Sequence, residues 1–374
     1  MTTAPKVALI SVVGVLAALA GTAHADGSLS MRGVYYKERA TRVVQPMLDG
    51  MFDVGTRGTL AAHLLVDAIT SASASSGADN SKPFTEKRYE GGAAYTHELS
   101  NLRLGAEGKY STESDYTSIY AGVRAEADLF QKNTTIGAGG GYAHDKASAG
   151  SAQGLAQPMV QCSPTKTANE CPLDSYSAFG SLTQILGKNV VGSVSYDFSK
   201  LDGYQSNPYR TAITDTGEVA ERNPTERTRQ AVAGTLRVFV PQTQTAFIGA
   251  YRYYWDDWAV HAHTPELRIV QQVSYVADAS FRYRYYHQDG AFFYQDRYAT
   301  GDVTMQRYVT DDVKLDSFTG HTFEAKLGVF GEAFGAGGRW AGARFEGILE
   351  YVLQHPRFGN AIIGQFALTV PFDY

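Results

Sequence analysis

Residues Tyr116–Leu129 read YTSIYAGVRAEADL. Taken alternately they split into two unlike sets: Thr117, Ile119, Ala121, Val123, Ala125, Ala127 and Leu129 against Ser118, Tyr120, Gly122, Arg124, Glu126 and Asp128. A period of two is the mark of a β-strand, whose successive side chains point to opposite faces. One face here suits hydrocarbon and the other suits water. The stretch 102–111 repeats the pattern, with Leu102, Leu104, Ala106, Gly108 and Tyr110 against Arg103, Gly105, Glu107, Lys109 and Ser111. In 323–327, Glu324 and Lys326 interleave with Phe323, Ala325 and Leu327.

Alternation alone would also suit a soluble sandwich, so the solvent of the apolar face must be read elsewhere. Lys6, the apolar run 7–20 and the small-x-small triplet Ala23-His24-Ala25 have the order of a secretory signal. The expected organisation is a signal peptide over 1–25 and one barrel domain over 26–374. No later window approaches the roughly 18 uninterrupted apolar residues that a membrane-spanning helix needs. Any membrane must therefore be crossed by strands.

The mean hydropathy of -0.24 looks like that of a soluble protein, but alternating lipid-facing and water-facing residues average to such a value in a barrel. The 24 Tyr, 18 Phe and 38 Gly suit a sheet-rich chain. A net charge of -5 gives no case for nucleic acid.

Strand-like segments are separated by connections that alternate in character. Short turns are expected at 53–56, 99–101, 131–133, 187–189, 241–243 and 275–277, with a Gly-rich one at 331–338. Long polar loops are expected at 71–84, 148–173, 206–224 and 300–312. Short turns at one end and longer loops at the other are the plan of an outer-membrane barrel. The fold class is therefore an all-β, transmembrane, antiparallel up-and-down barrel of about 16 strands, roughly 14 to 18. The region 259–294 is where a further hairpin would fit. Aromatics near strand ends, Tyr253, Trp255, Trp258, Trp340, Tyr351 and Tyr374, suit interfacial girdles.

The segment IIGQFALTVPFDY (362–374) carries Phe366, Leu368, Val370, Phe372 and Tyr374 on one face. It resembles the signal by which outer-membrane assembly machinery recognises its barrel clients, and it would close the barrel against the first strand. Bilayer lipid and that machinery are the expected partners.

Sixteen strands enclose an interior too wide for side chains to fill. The alternation places Arg88, Glu90, Arg103, Glu107, Arg124, Glu126, Arg252, Tyr254, Arg282, Arg284, Glu324, Lys326, Arg344 and Glu346 inward as candidate pore-lining residues, with Tyr286 beside them. Two readings follow: the charges pair across neighbouring strands and satisfy a wet lumen, or Arg and Glu segregate on opposite walls and orient a charged solute. Cys162 and Cys171 share one polar segment and are expected to form a loop-closing disulfide; no further Cys or His completes a metal-ligand set, and no cofactor is expected. Enzyme motifs are scarce. His63 and Asp67 lie four apart on one strand, about 13 Å by strand rise, too far for a base and its orienter. There is no HExxH and no GxSxG. The sequence reads as a non-enzyme, with a hydrolase assembled from separate strands the lesser alternative.

The stretches MRGVYYKERATRVVQP (31–46), HLLVDAITSASASSGA (63–78), FTEKRYEGGAAY (84–95), STESDY (111–116), LDGYQSNPYR (201–210) and YVTDDVKLDSFTGHTFEAKLGV (308–329) together resemble a family of outer-membrane β-barrel proteins of Gram-negative bacteria that carries an unknown-function label. The resemblance covers nearly the whole of 26–374 and implies an integral outer-membrane barrel, without a substrate or catalytic residues. A more distant similarity is to the barrel subunits of polysaccharide export systems, which work with a periplasmic export protein. Function is accordingly expected to be that of a channel for polar or charged solutes, with a polysaccharide export conduit as the alternative. The loop between Tyr204 and Thr225, long and of mixed charge, is expected to constrict the lumen.

Overall fold

The computed structural model describes residues 26–39, 41–71, 84–148, 160–163, 166–168, 170–207, 210–300, 307–354, 357 and 359–372. The expected signal segment 1–25, most of the Ser/Gly-rich loop 71–84, and Tyr374 lie outside them.

The chain forms β1 (Gly27–Lys37), β2 (Thr41–Val54), β3 (Gly58–Ser71), β4 (Phe84–Leu99), β5 (Leu102–Thr112), β6 (Tyr116–Leu129), β7 (Thr134–Ser148), the short pair β8 (Val160–Ser163) and β9 (Lys166–Ala168), β10 (Glu170–Gly187), β11 (Val190–Gly203), a second short pair β12 (Thr211–Thr214) and β13 (Gly217–Ala220), then β14 (Glu226–Val240), β15 (Thr245–Asp256), β16 (His261–Ser274), β17 (Ala277–Gln288), β18 (Phe318–Phe330), β19 (Arg344–Leu353) and β20 (Ala361–Phe372). Leaving out the two short hairpins, the remaining sixteen strands pair neighbour to neighbour in one closed barrel. No extra hairpin enters 259–294, which holds β16 and β17.

Closure runs through β1, which pairs with β2 on one side and β20 on the other over its whole length, from Gly27 opposite Phe372 to Lys37 opposite Ile362. No strand of the barrel is left with a free edge, as a backbone surrounded by lipid requires. β6 has 14 residues. At about 3.3 Å each and a tilt of about 45°, it rises about 33 Å, enough to cross a hydrocarbon layer. Among the described residues no helix is long and apolar enough to cross a membrane.

The register fixes which residues share a face. Leu29, Met31 and Tyr35 stand opposite Gly50, Leu48 and Val44 on β2 and Val370, Leu368 and Gly364 on β20. This face carries bare apolar groups all round the barrel: Val123 is 66% exposed, Ile119 57% and Phe366 56%. Side chains so uncovered and so contiguous fit a lipid solvent and not water. The opposite face carries the ion pairs.

At the end holding Gly27 and Phe372 the connections are tight, and four of them need left-handed residues: Gly55, Ser100, the run Phe130, Gln131 and Lys132 (φ 50, 60 and 67), and Gln244. The exception is the longer β18–β19 connection, built from two 3-10 turns, Gly331–Phe334 and Gly338–Trp340. At the other end three connections are also short, those after β1, β5 and β15. Strict alternation of short and long therefore holds only in part. The loop expected over 300–312 is longer, running from Gln288 to Phe318. The disulfide joins Cys162 in β8 to Cys171 at the start of β10, so β10 begins inside what the sequence suggested was loop.

Candidate functional site

The inner wall is a set of ion-pair clusters, each assembled from neighbouring strands. On β1–β4, Arg32 binds Asp49 at 2.7 Å, Asp49 also holds the His63 Nδ1 at 2.6 Å, and His63 Nε2 lies 3.8 Å from Glu90. Asp67 instead pairs with Arg88 at 2.6 Å. The partner of His63 is thus an aspartate on the next strand, which reading along a single strand could not find. On β5 and β6, Arg103 forks onto both Asp128 oxygens at 2.7 and 3.1 Å and reaches Glu126 at 3.1 Å. Tyr120 donates to Glu107 at 3.0 Å, and Arg124 donates to Thr96 at 2.9 Å. A recess of about 640 Å³ opens along this wall, lined among others by Ser30, Arg32, Asp49, His63, Glu90 and Lys109.

Across the seam, on β16–β20, Arg282 binds Glu324, Glu350 at 3.0 Å and Glu266 at 3.4 Å. Below it Glu346 receives Lys326 at 2.5 Å and Arg344 at 3.0 Å, while Arg344 also holds Asp278 at 2.6 Å. Contacts such as Arg282–Glu350 span strands separated by a third, because the concave side of a barrel brings alternate strands' side chains together. Arginine suits this position: its five donors can serve several carboxylates at once.

The wall of β14–β17 differs. Asp256 is buried and fully engaged, by Arg227 at 2.5 Å, the Tyr254 hydroxyl at 2.6 Å and the backbone N–H groups of Trp258 and Val260 at 3.0 Å. Arg229, Arg252 and Arg284 stand on the same face by register. Arg252 lies 5.4 Å from the Tyr254 ring centre. On β7, β10 and β11 the inner face mixes the small residues Gly137, Gly139, Gly141, Ser177, Ser181 and Ser195 with Phe179, Leu201 and the acidic Asp145 and Asp197, and carries no arginine or lysine. Charges are thus interleaved over most of the lumen, with one sector rich in arginine and one sparsely charged and acidic.

The mouth at the long-loop end is roofed in part by loops that pack on one another. Isolated bridges join Thr214 to Tyr298 and Arg222 to Val309, tying the β11–β14 loop to the β17–β18 loop. Tyr298 is buried, with its hydroxyl donating to the Phe293 and Thr310 carbonyls and accepting from the N–H groups of Gln295 and Thr310. Buried Glu221 takes hydrogen bonds from the Thr310 hydroxyl at 2.5 Å and the Asn207 N–H at 2.6 Å. Burial pushes its carboxyl above the usual range, against the pull of Arg210. Arg357, from the β19–β20 loop, reaches Asp311 at 2.7 Å and Tyr294 at 2.9 Å. Trp258 is 3% exposed in a cluster with Val260, Ala291, Phe293 and Leu315. It is therefore a loop-core residue and not part of an aromatic girdle; Tyr351 and Trp340 stay exposed on the surface.

At the β5–β6 connection, oxygens of Glu86, Glu113 and Asp115 come within 4.8 Å of one another. Burial first, then the charges of Glu86 and Asp115, raise the Glu113 carboxyl to about 7. On β20, Phe366, Leu368, Val370 and Phe372 lie on the outer face, opposite Gly33, Met31, Leu29 and Gly27.

A closed sixteen-strand barrel with an apolar outside and a charged inside has the architecture of an integral outer-membrane β-barrel protein. The chain belongs to the family described as "Protein of unknown function (DUF3570)", which matches residues 78–367. No curated protein matches it by sequence. Among solved structures it is similar to a bacterial polysaccharide outer membrane secretin (11% identity, TM-score 0.51, covering 94% of this chain and 99% of that one). It is also similar to OccD3 (OpdP) of Pseudomonas aeruginosa (11%, 0.49, 93% and 91%) and to a BenF-like porin from Pseudomonas fluorescens (8%, 0.48, 94% and 99%). At these identities the likeness is one of fold.

Proposed function

We propose that the protein is an outer-membrane channel that passes polar or charged solutes through a mixed-charge lumen, with its outer mouth narrowed by the β11–β14 and β17–β18 loops. The observation that carries this reading is the inner face itself, polar and charged from end to end in a barrel whose outer face is apolar. The ion pairs keep the wall hydrated and rigid, and the loop pair sets the entrance. Glu221, through the Thr310 hydroxyl, and the Tyr298 backbone, through Ile213 and Asp215, bind the two loops together, which supports a built constriction over a loose strap. The test is conductance of refolded protein in a planar bilayer. Stable unitary steps are expected, and deletion of 211–220 is expected to enlarge them. An unchanged step size would overturn the constriction, and the absence of any steps from folded barrel would overturn the channel.

A second reading, an export conduit for a polysaccharide working with a periplasmic protein, draws support from the sector of β7, β10 and β11, where serines alternate with exposed Phe179, hydroxyls and an aromatic ring of the kind that can contact a sugar chain. It predicts that the purified barrel conducts only with its partner bound.

A further inference from the structure

We propose that Lys37, Arg42 and Lys87, on the outside of β1, β2 and β4 at the long-loop end, form with the apolar groove beneath them a docking surface for a phosphorylated lipid of the outer leaflet. The surface lies on the lipid side of the wall and does not depend on whether the lumen conducts.

Position marks it first. The alternation that turns Arg32, Asp49 and Arg88 inward turns Lys37, Arg42 and Lys87 outward, and all three are exposed. One step toward the middle of the wall stand Tyr35, Val44 and Tyr89, also exposed. Tyrosine is favoured where hydrocarbon gives way to head groups. The tight turns gather at the other end, so the leaflet met here is the outer one. Among the described strand residues, every lysine or arginine on the lipid side stands toward this end: these three, Lys146 on β7 and Lys200 on β11.

Charge accounting separates the three from the two. Lys146 lies 3.7 Å from Glu170, and Lys200 lies 4.0 Å from Glu226. Among the described residues, Lys37, Arg42 and Lys87 have no carboxylate within 4.0 Å. From β19 through the seam to β5, no described outward strand position holds an aspartate or a glutamate. Glu38, in the β1–β2 turn, is engaged by the Tyr36 hydroxyl at 2.6 Å and by Gln354 at 3.4 Å. Lys37 moreover stands directly opposite Arg42 in register, a placement of like charges that destabilises a strand pair. An anion from outside offsets that repulsion.

The spacing suits a head group with two phosphates. Lys87 faces Ala68, which faces Val44, the next outward residue after Arg42. The backbones of Arg42 and Lys87 are thus about 10 Å apart across the sheet and about 7 Å along it. Small Ala68 leaves the space between them open to the head group. Arginine offers a fork to phosphate oxygens, and lysine a compact charge. Below the cations a recess of about 810 Å³ is lined by Gly33, Tyr35, Val44, Pro46, Gly347 and Phe366 among others. Nothing lies within 4 Å of where a Cβ would stand on Gly33 or Gly347, so these glycines leave a groove that an acyl chain can fill. Cations above an apolar groove match a lipid, and not a free anion.

The test is native mass spectrometry of the folded protein in detergent, titrated with diphosphoryl lipid A, monophosphoryl lipid A and uncharged diacylglycerol. Diphosphoryl lipid A is expected to bind most tightly, and Lys37→Gln, Arg42→Gln and Lys87→Gln are each expected to weaken it about fivefold. Lys146→Gln is expected to leave binding unchanged, and added salt to weaken it. Folded variants that bind as the native protein does, or equal retention of diacylglycerol, would overturn the site. So would a stable oligomer free of lipid, which would assign the groove to a second copy of the chain.

Discussion

Glu113 shows how one residue couples this barrel to its medium. It lies outside the strands, at the β5–β6 connection, where burial and the charges of Glu86 and Asp115 raise its carboxyl to about 7 from an ordinary 4.5. A raised acid stabilises the fold when protonated. Its contribution is full below about pH 4.5 and is lost as the pH rises through about 7. The thermal midpoint of the folded barrel is therefore expected to drop by about 2 °C between pH 6 and pH 8. Glu113→Gln is expected to hold the higher midpoint throughout, as followed by circular dichroism; parallel falls in both proteins would contradict the assignment. Little of this was legible in the sequence. That Arg282 and Arg103 point inward follows from alternation, but their partners lie on other strands, Glu350 two strands away from Arg282. The same holds for His63, whose partner Asp49 comes from the neighbouring strand.

Among the elements, the β6–β7 turn carries a visible cost. Phe130, Gln131 and Lys132 are all left-handed, a conformation that penalises a side chain by about 1 kcal/mol each. Gln131 is exposed and free of strand pairing. Gln131→Gly is expected to stabilise the barrel by about 0.5–1 kcal/mol, read as a higher urea midpoint; a lower one would mean that the side chain contributes something the turn geometry does not show. Strands and tight turns were legible because each is specified locally, by a period of two and by turn residues. The loop roof was not. Tyr298 is fixed by backbone carbonyls and N–H groups of its own loop, and Trp258 by apolar residues of another, and neither relation leaves a periodic mark.

For the whole molecule, the decisive variable is the solvent outside the wall. Phe366, on β20, faces outward, and Gln365 beside it faces inward, where it donates to Glu350 at 3.0 Å. If lipid surrounds the barrel, Phe366→Arg costs about 2–4 kcal/mol at mid-bilayer depth, while Gln365→Arg, in a wet lumen, costs far less. Unfolding of the two variants in vesicles measures the difference, and equal costs would overturn the inside-out arrangement. The closed barrel and its strand number were legible because lipid imposes one pattern on every strand. The arginine-rich sector was not, since no period along a strand shows which carboxylates its arginines meet across strands, as Arg227 meets Asp256.

The seam between β1 and β20 also sets a timetable. The first and last strands of the wall close it, so every earlier strand pair can form while the cylinder still gapes along one line. Until β20 arrives, β1 presents a full row of unanswered amide and carbonyl groups, and so does whichever strand was added last. That interval is when the chain is most open to mispairing with its neighbours, and a chaperone that covers β1 would protect it for as long as the other fifteen strands take to be delivered.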